Sequence, residues 1–522
     1  MDVAGRTVAG RVRREGVGDV KPQEQLHPWG VPPPESARGW AGDAVAGPAA
    51  SPVALLGILT LMVCAVVGLV EAAPAVPIVA AILFVFALLV LSLDRRNASD
   101  RPVLYSLFAW GFFLRVGYGL CLYYWLIASN GEPFLGGGDD AGYEWMGRDL
   151  YERWQQNDFI LPFYMRQHPG YYILIAVIRT VGEWLGGYHV LLTRVVNACI
   201  GGLVAPALFI LARNVFGRPV ALAAGILAAV YPNFVFYSSV QLRDIIIVFL
   251  FVFSMSQLSR FVARGQTTGV VMAFVAVLPV FYLRTVYGFV LLTGLAIGLI
   301  GCLLFQKGRT RAHRWRKAFL LGVGVLVLSG FMKASETQMS LYAADEADVF
   351  APPDSEFVEY KLGRQLDHSL SATGDSSLGG KIVTRLPPGT GFIVMPMIAF
   401  IMPYPPWLAL FTDSPVRLLY FLNNAAWTLL MPICLLGCFE GLRRWFPENL
   451  LVLAPMVLVL ISAGAGGFTD RYKLAAIPFA LVFGALGMVA ITKGGREVLA
   501  RRFIWIQLGM LTAYFAAKLV SS

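Results

Sequence analysis

Residues 231–253 read YPNFVFYSSVQLRDIIIVFLFVF. After Asp244, nine consecutive positions carry only aliphatic or aromatic side chains. A charged side chain at the centre of a bilayer costs about 2.5–3.5 kcal/mol on insertion scales, and the cost falls towards the interface. Arg243 and Asp244 therefore mark the mouth of a membrane span. A mutual ion pair accounts for them structurally. An arginine at this depth can also grip a lipid-linked phosphate, because its forked donors match the phosphate oxygens.

Outward from this segment the pattern repeats. Apolar runs fall near 52–70, 75–93, 103–127, 190–212, 219–238, 243–260, 268–283, 286–305, 318–333, 417–440, 449–466, 474–492 and 503–520. Each is close to the roughly 20 residues that a bilayer requires. Of the 522 residues 57% are apolar and 14% are charged, against about 25% charged in an ordinary globular domain. These values predict an all-α, polytopic transmembrane helical bundle of about thirteen spans. They exclude a secreted disulfide scaffold, a nucleic-acid-binding domain and a cytosolic enzyme. The six cysteines all lie in apolar runs, with no metal-ligand spacing.

Lysine and arginine set the expected orientation. With the N-terminus inside, the loops at 94–102, 213–218, 260–267, 306–317, 441–448 and 493–502 are cytoplasmic and hold 19 Lys and Arg. The formal charge of +10 is then a matter of topology, and no polyanionic partner is invoked. Two long polar loops fall on the opposite face, and both are acidic. Residues 129–189 carry eight acidic and four basic side chains, and residues 334–416 carry ten and four. Interfacial or re-entrant helices are expected at 170–186 and 391–410, where Gly, Pro and charges interrupt the apolar pattern. The expected organisation is a disordered cytoplasmic tail (1–50), an additional transmembrane hairpin (51–100), a catalytic transmembrane module (101–333), the second outer loop (334–416) and C-terminal helices (417–522). Residues 1–30 lack the apolar core and cleavage site of a signal peptide.

Chemistry gathers on the non-cytoplasmic side. The first loop contains GGGDDAGYEWMGRDLYERW, in which Asp139 and Asp140 precede an amphipathic segment. An aspartate before a helix is a favoured cap. A carboxylate beside the outer leaflet also suits general-base work on a hydroxyl. His168, in QHPGYY, is a secondary candidate. Arg284 (FYLRTVYGF) and Asp470, Arg471 and Lys473 (GGFTDRYKLAAIPF) repeat the placement of Arg243 at outer span ends. Three such basic positions run against the positive-inside bias, which points to function. The second loop ends in LPPGTGFIVMPMIAFIMPYPPW, a proline-rich cover. Its acids Asp345, Glu346, Asp348, Glu356 and Glu359 have no calcium-ligand spacing, so no metal is assigned and use of a divalent ion stays open.

GDDAGYEWMGRDL resembles the acidic first-outer-loop motif of GT-C-type membrane glycosyltransferases. The likeness is to the group that includes protein mannosyltransferase-like and aminoarabinose transferase-like enzymes. That motif is an Asp with an aromatic four positions on, matched by Asp139 and Tyr143. YPNFVFYSSVQLRD, LRTVYGF, PYPPW and DRYKLAAIPF resemble segments of bacterial, polysaccharide-associated members, over roughly residues 103–490. The resemblance implies an inverting transfer from a polyprenyl-phosphate-linked sugar to an acceptor hydroxyl on a lipid-linked or polymeric glycan. It implies a site in the bacterial inner membrane, with Asp139 or Asp140 as base. Arg243, Arg284, Arg471 and Lys473 would hold the phosphate, supported by Tyr143, His168, Asp244 and Asp470. The adjacent aspartates depart from the family's Asp-Glu, which leaves open which one acts. Two further readings stand beside this one: a Wzy-type polysaccharide polymerase, and a lipid-linked glycan transporter or flippase. A carrier calls for mid-membrane charge and repeat-related broken helices; here the charge sits at one face.

Overall fold

The computed structural model describes residues 50–93, 95–135, 139–162, 165, 169–305, 417–465, 471, 473–494 and 496–521. The tail, the run at 318–333, the second long loop, His168 and Asp470 lie outside the described residues. Among the described residues the regular structure is helical, with no strand.

Two apolar helices come first, α1 (Ala50–Val70) and α2 (Ala75–Leu93). Leu55, Leu69 and Phe86 remain exposed on them, as suits a lipid-facing pair that meets the bundle along one edge. The helix α3 (Arg101–Asn130) ends at Gly131, whose φ of 75° is in the left-handed region and whose N–H bonds Ile127 O. This is a glycine C-cap, and it releases the chain into the first long loop. That loop carries α4 (Asp139–Gln155) and α5 (Gly170–Trp184). Both are shorter than a bilayer span.

The most deeply buried helix is α6 (Val190–Phe216). It packs on α2, on α3, and on two helices that follow, α7 (Arg218–Val230) and α9 (Asp244–Arg264). Between these, α8 (Pro232–Ser239) leaves α7 at a 48° bend. Pro232 has no N–H and its ring blocks continuation, so the last carbonyls of α7 lose their helical donors. The fully buried Arg115 supplies replacements, with Nη1 donating to Ala229 O (2.9 Å) and Nη2 to Ala228 O (3.1 Å). Backbone satisfaction of this kind is what permits a break within the membrane.

The chain continues through α10 (Thr267–Val275), α11 (Val277–Leu283) and α12 (Thr285–Phe305). After the undescribed residues come α13 (Arg417–Arg444), α14 (Leu450–Ala465), α15 (Ile477–Gly494) and α16 (Glu497–Ser521). Here α13 packs against α15, and α12 against α14.

The expected count of about thirteen spans is not reached among the described residues. Seven described helices are long and apolar enough to cross a membrane, or eight if the bent α7–α8 pair is one span. Runs that look continuous in sequence are broken at Tyr231 and Ala276. Residues 267–283, α14 and α15 form shorter apolar helices.

Ion pairs sort the turns onto two ends of the bundle. At one end, buried Asp100 pairs with Arg213 and Arg218, and buried Glu440 pairs with Arg444 (2.8 Å) and Arg496 (3.0 Å). Several cations of the basic loops thus also tie helices together. At the other end lie the termini that carry Asp139, Arg243, Arg284 and Arg471.

Candidate active site

Four separate elements deliver these termini to one place. Asp139 and Asp140 occupy the first turn of α4, where carboxylates favour the positive end of the helix dipole. Asp244 opens α9 in the same way. Arg284 sits at the extended break between α11 and α12. Arg471 and Lys473 belong to the turn that leads into α15.

Arg471 is the joint between the acids. Its Nε donates to Asp244 Oδ2 at 2.7 Å, and its Nη1 donates to Asp139 Oδ2. The Asp244 side chain is 5% exposed and Asp139 is 47% exposed. A charge as buried as Asp244 requires pairing, and Arg284 Nη1 adds a second cation at 4.0 Å from its other oxygen. Arg284 also lies 5.1 Å from the Tyr287 ring centre. Lys473 is half-buried, two residues beyond Arg471.

Arg243 points elsewhere than its sequence neighbour. Its guanidinium lies 5.6 Å from the centre of the Tyr143 ring, a cation–π arrangement. Its Nε is buried without a hydrogen-bond partner among the described residues. The mutual Arg243–Asp244 ion pair read from sequence is therefore replaced by Asp244–Arg471. Tyr143 is itself packed edge-on to Tyr171 and tilted against Tyr172. The site is thus a cluster of aromatic rings with three arginines and two carboxylates.

The two adjacent aspartates have different surroundings. Asp139 faces Arg471. Asp140 is 1% exposed and takes the Leu135 N–H on Oδ2 at 2.9 Å, closing the loop back onto α4. Burial pushes the Asp140 carboxyl up from the ordinary carboxylate range, and the Leu135 N–H and the nearby Arg194 charge oppose this. Arg194 also donates to Pro133 O, so Asp140 and Arg194 together hold residues 133–135 in place.

Sequence reading missed the polar groups beneath this rim. Glu144, Arg179, Tyr188, Gln241 and Asn197 form buried bonds between α4, α5, α6 and the link into α9. Glu144 lies four residues after Asp140, hence on the same helix face. That spacing was the available signal. Among the described residues no three His, Cys, Asp or Glu side chains gather as metal ligands.

No family model matches this sequence, and no curated protein matches it. Among solved structures the chain is similar to the archaeal oligosaccharyltransferase AglB from Archaeoglobus fulgidus, determined in complex with an inhibitory peptide and a dolichol-phosphate. The TM-score is 0.41 at 13% identity, over 78% of this chain and 54% of that one, so the chain spans about half the length of AglB.

Proposed function

We propose that the chain is an inverting membrane glycosyltransferase. It moves a sugar from a polyprenyl-phosphate-linked donor to an acceptor hydroxyl at the non-cytoplasmic face of a bacterial inner membrane, in the synthesis of a surface polysaccharide or glycoconjugate. The observation that carries this reading is the junction of Asp139, Arg471 and Asp244, with Arg243 and Arg284 at the same helix tips.

The chemistry follows from charge. The acceptor hydroxyl attacks the anomeric carbon as Asp139 takes its proton. The bond from that carbon to the phosphate oxygen breaks, and the phosphate leaves with the electron pair. The phosphate gains one negative charge as Asp139 loses one, so the total charge of the site is unchanged. Arg471 Nη1, released from a neutralised Asp139, is then a donor for the leaving phosphate. Asp244 remains to keep the Arg471 fork in position. Arg243, which has the Tyr143 ring and no carboxylate beside it among the described residues, is the receptor for the donor phosphate before reaction. Phosphate is a good leaving group, so such a site needs a base and cations more than an acid.

The test is transfer in proteoliposomes from a radiolabelled polyprenyl-phosphate-linked hexose to a lipid-linked glycan. Wild-type protein should transfer label, and Asp139→Asn should not. Full transfer by both Asp139→Asn and Asp140→Asn would remove the assigned base and the reading with it.

A further inference from the structure

Resting on that reading, we propose that Glu144 is a positioning residue, a buried brace that fixes the arginine-bearing tip of α9 relative to the aspartate-bearing tip of α4. It lies five residues after Asp139 and its side chain is 14% exposed. Oε1 accepts from Arg179 Nη2 at 2.7 Å. Oε2 accepts from the Tyr188 hydroxyl at 2.7 Å and from Gln241 Nε2 at 2.8 Å. One carboxylate thus joins α4 to α5, to the turn before α6, and to the short link between α8 and α9. Burial, and then the Glu144 charge, push the Tyr188 phenol well up, which keeps it a donor. The Arg179 guanidinium stacks 4.0 Å from the Tyr188 ring centre, closing the cluster.

The link held by this brace is the one that matters to the site. Gln241 precedes Arg243 by two residues and Asp244 by three. Residues 240–243 lie outside any helix, held by the Leu242 N–H to Val240 O bond and, at the α9 end, by the Arg243 carbonyl accepting from Ile246 and Ile247. Asn197 Nδ2 grips the link from below, through Val240 O (2.9 Å) and Leu242 O (3.1 Å), and also meets the Tyr171 hydroxyl (2.9 Å). Asn197 anchors the link to α6, and Glu144 anchors it to α4 through Gln241. Charge-assisted bonds between buried partners hold geometry most firmly.

The experiment exchanges the two ends of the bond. Glu144→Gln removes the charge that strengthens the bonds from Arg179, Tyr188 and Gln241, and Gln241→Glu sets two carboxylates against one another, whereas the double variant restores one carboxylate opposite one amide at this bond. Two readings are taken on purified full-length protein: hydrogen exchange of residues 238–246 without ligand, and affinity for polyprenyl phosphate. Each single variant should speed exchange in this segment and weaken polyprenyl phosphate about ten-fold, with the double variant less impaired in both than the sum of the singles, short of full recovery because Arg179 and Tyr188 still face an uncharged residue 144. Unchanged exchange in the single variants overturns the brace, as does faster exchange with unaltered lipid-phosphate affinity. Additive loss in the double variant does so too. Failure of the wild-type protein to bind polyprenyl phosphate overturns the functional reading instead, and the exchange arm still judges the brace.

Discussion

Arg471 Nε and Asp244 Oδ2 meet at 2.7 Å across 227 residues of chain. The same guanidinium reaches Asp139, so one side chain couples the start of α4, the start of α9 and the turn before α15.

Removal of Arg471 should destabilise the fold as well as stop transfer. Breaking a buried ion pair from one side costs about 3–5 kcal/mol. Arg471 is 22% exposed and Arg284 still stands 4.0 Å from Asp244, so about 2 kcal/mol is expected for Arg471→Ala. Pairing it with Asp244→Asn should return most of that loss, read as thermal unfolding in detergent, without restoring transfer. A double variant as unstable as the sum of the singles would show that the pair does not hold the tips.

Asp139 and Asp140 should separate in kinetics. Loss of a general base costs about 10²–10⁴ in rate, and that is expected in kcat for Asp139→Asn with the protein intact. In Asp140→Asn the side-chain oxygen can still accept the Leu135 N–H, so kcat should change by less than ten-fold. Equal effects of the two substitutions would refute the division of roles.

Arg243 should act on donor binding. Arg243→Ala is expected to raise the donor KM by about ten-fold or more, from loss of charge-assisted bonds. Tyr143→Phe keeps the ring face under the guanidinium and should keep donor affinity. Tyr143→Leu removes about 1–2 kcal/mol of cation–π attraction and should weaken it about ten-fold. Comparable affinity for the Phe and Leu variants would argue against the ring as the support of Arg243.

Acid should weaken the N-terminal end of α6. His189 caps that helix by accepting the Leu191 N–H on Nδ1 at 3.3 Å. Burial lowers its pKa from 6.5, although nearby Glu71 pulls the other way. A depressed value means that the unfolded chain binds the proton first. The stabilisation is therefore complete above 6.5 and is lost as pH falls through the lower folded value. His189→Asn retains a capping oxygen and should flatten this dependence, seen as a smaller drop in melting temperature between pH 7 and pH 5. A wild-type melting temperature that rises on acidification over this window would contradict the sign.

Much of the site was legible because its residues violate a strong local rule. Arg243, Arg284 and Arg471 are cations at the mouths of apolar runs on the face that the expected topology makes non-cytoplasmic and poor in Lys and Arg, so each is visible alone. The apolar runs were equally plain, and 12 of the 13 fall on helices among the described residues. The breaks within them were less so. At Tyr231 the proline gives a local cue, but the carbonyls it frees are satisfied by Arg115, 113 and 114 residues away, and no window of sequence contains both. Glu144 and Gln241 were passed over for the same reason, since a lone Glu or Gln beside a membrane helix has many solvated explanations until a partner is found.

Sequence by itself determined that the chain is helical and membrane-crossing, and that ionisable groups collect at span ends. Those properties follow from solvation energies that each segment meets on its own. Tertiary structure alone decided which acid faces which cation: that Asp244 turns from adjacent Arg243 to distant Arg471, and that Asp139 meets Arg471 while Asp140 ties down a loop. Pairing energy depends steeply on separation and burial, and both are properties of how helices pack.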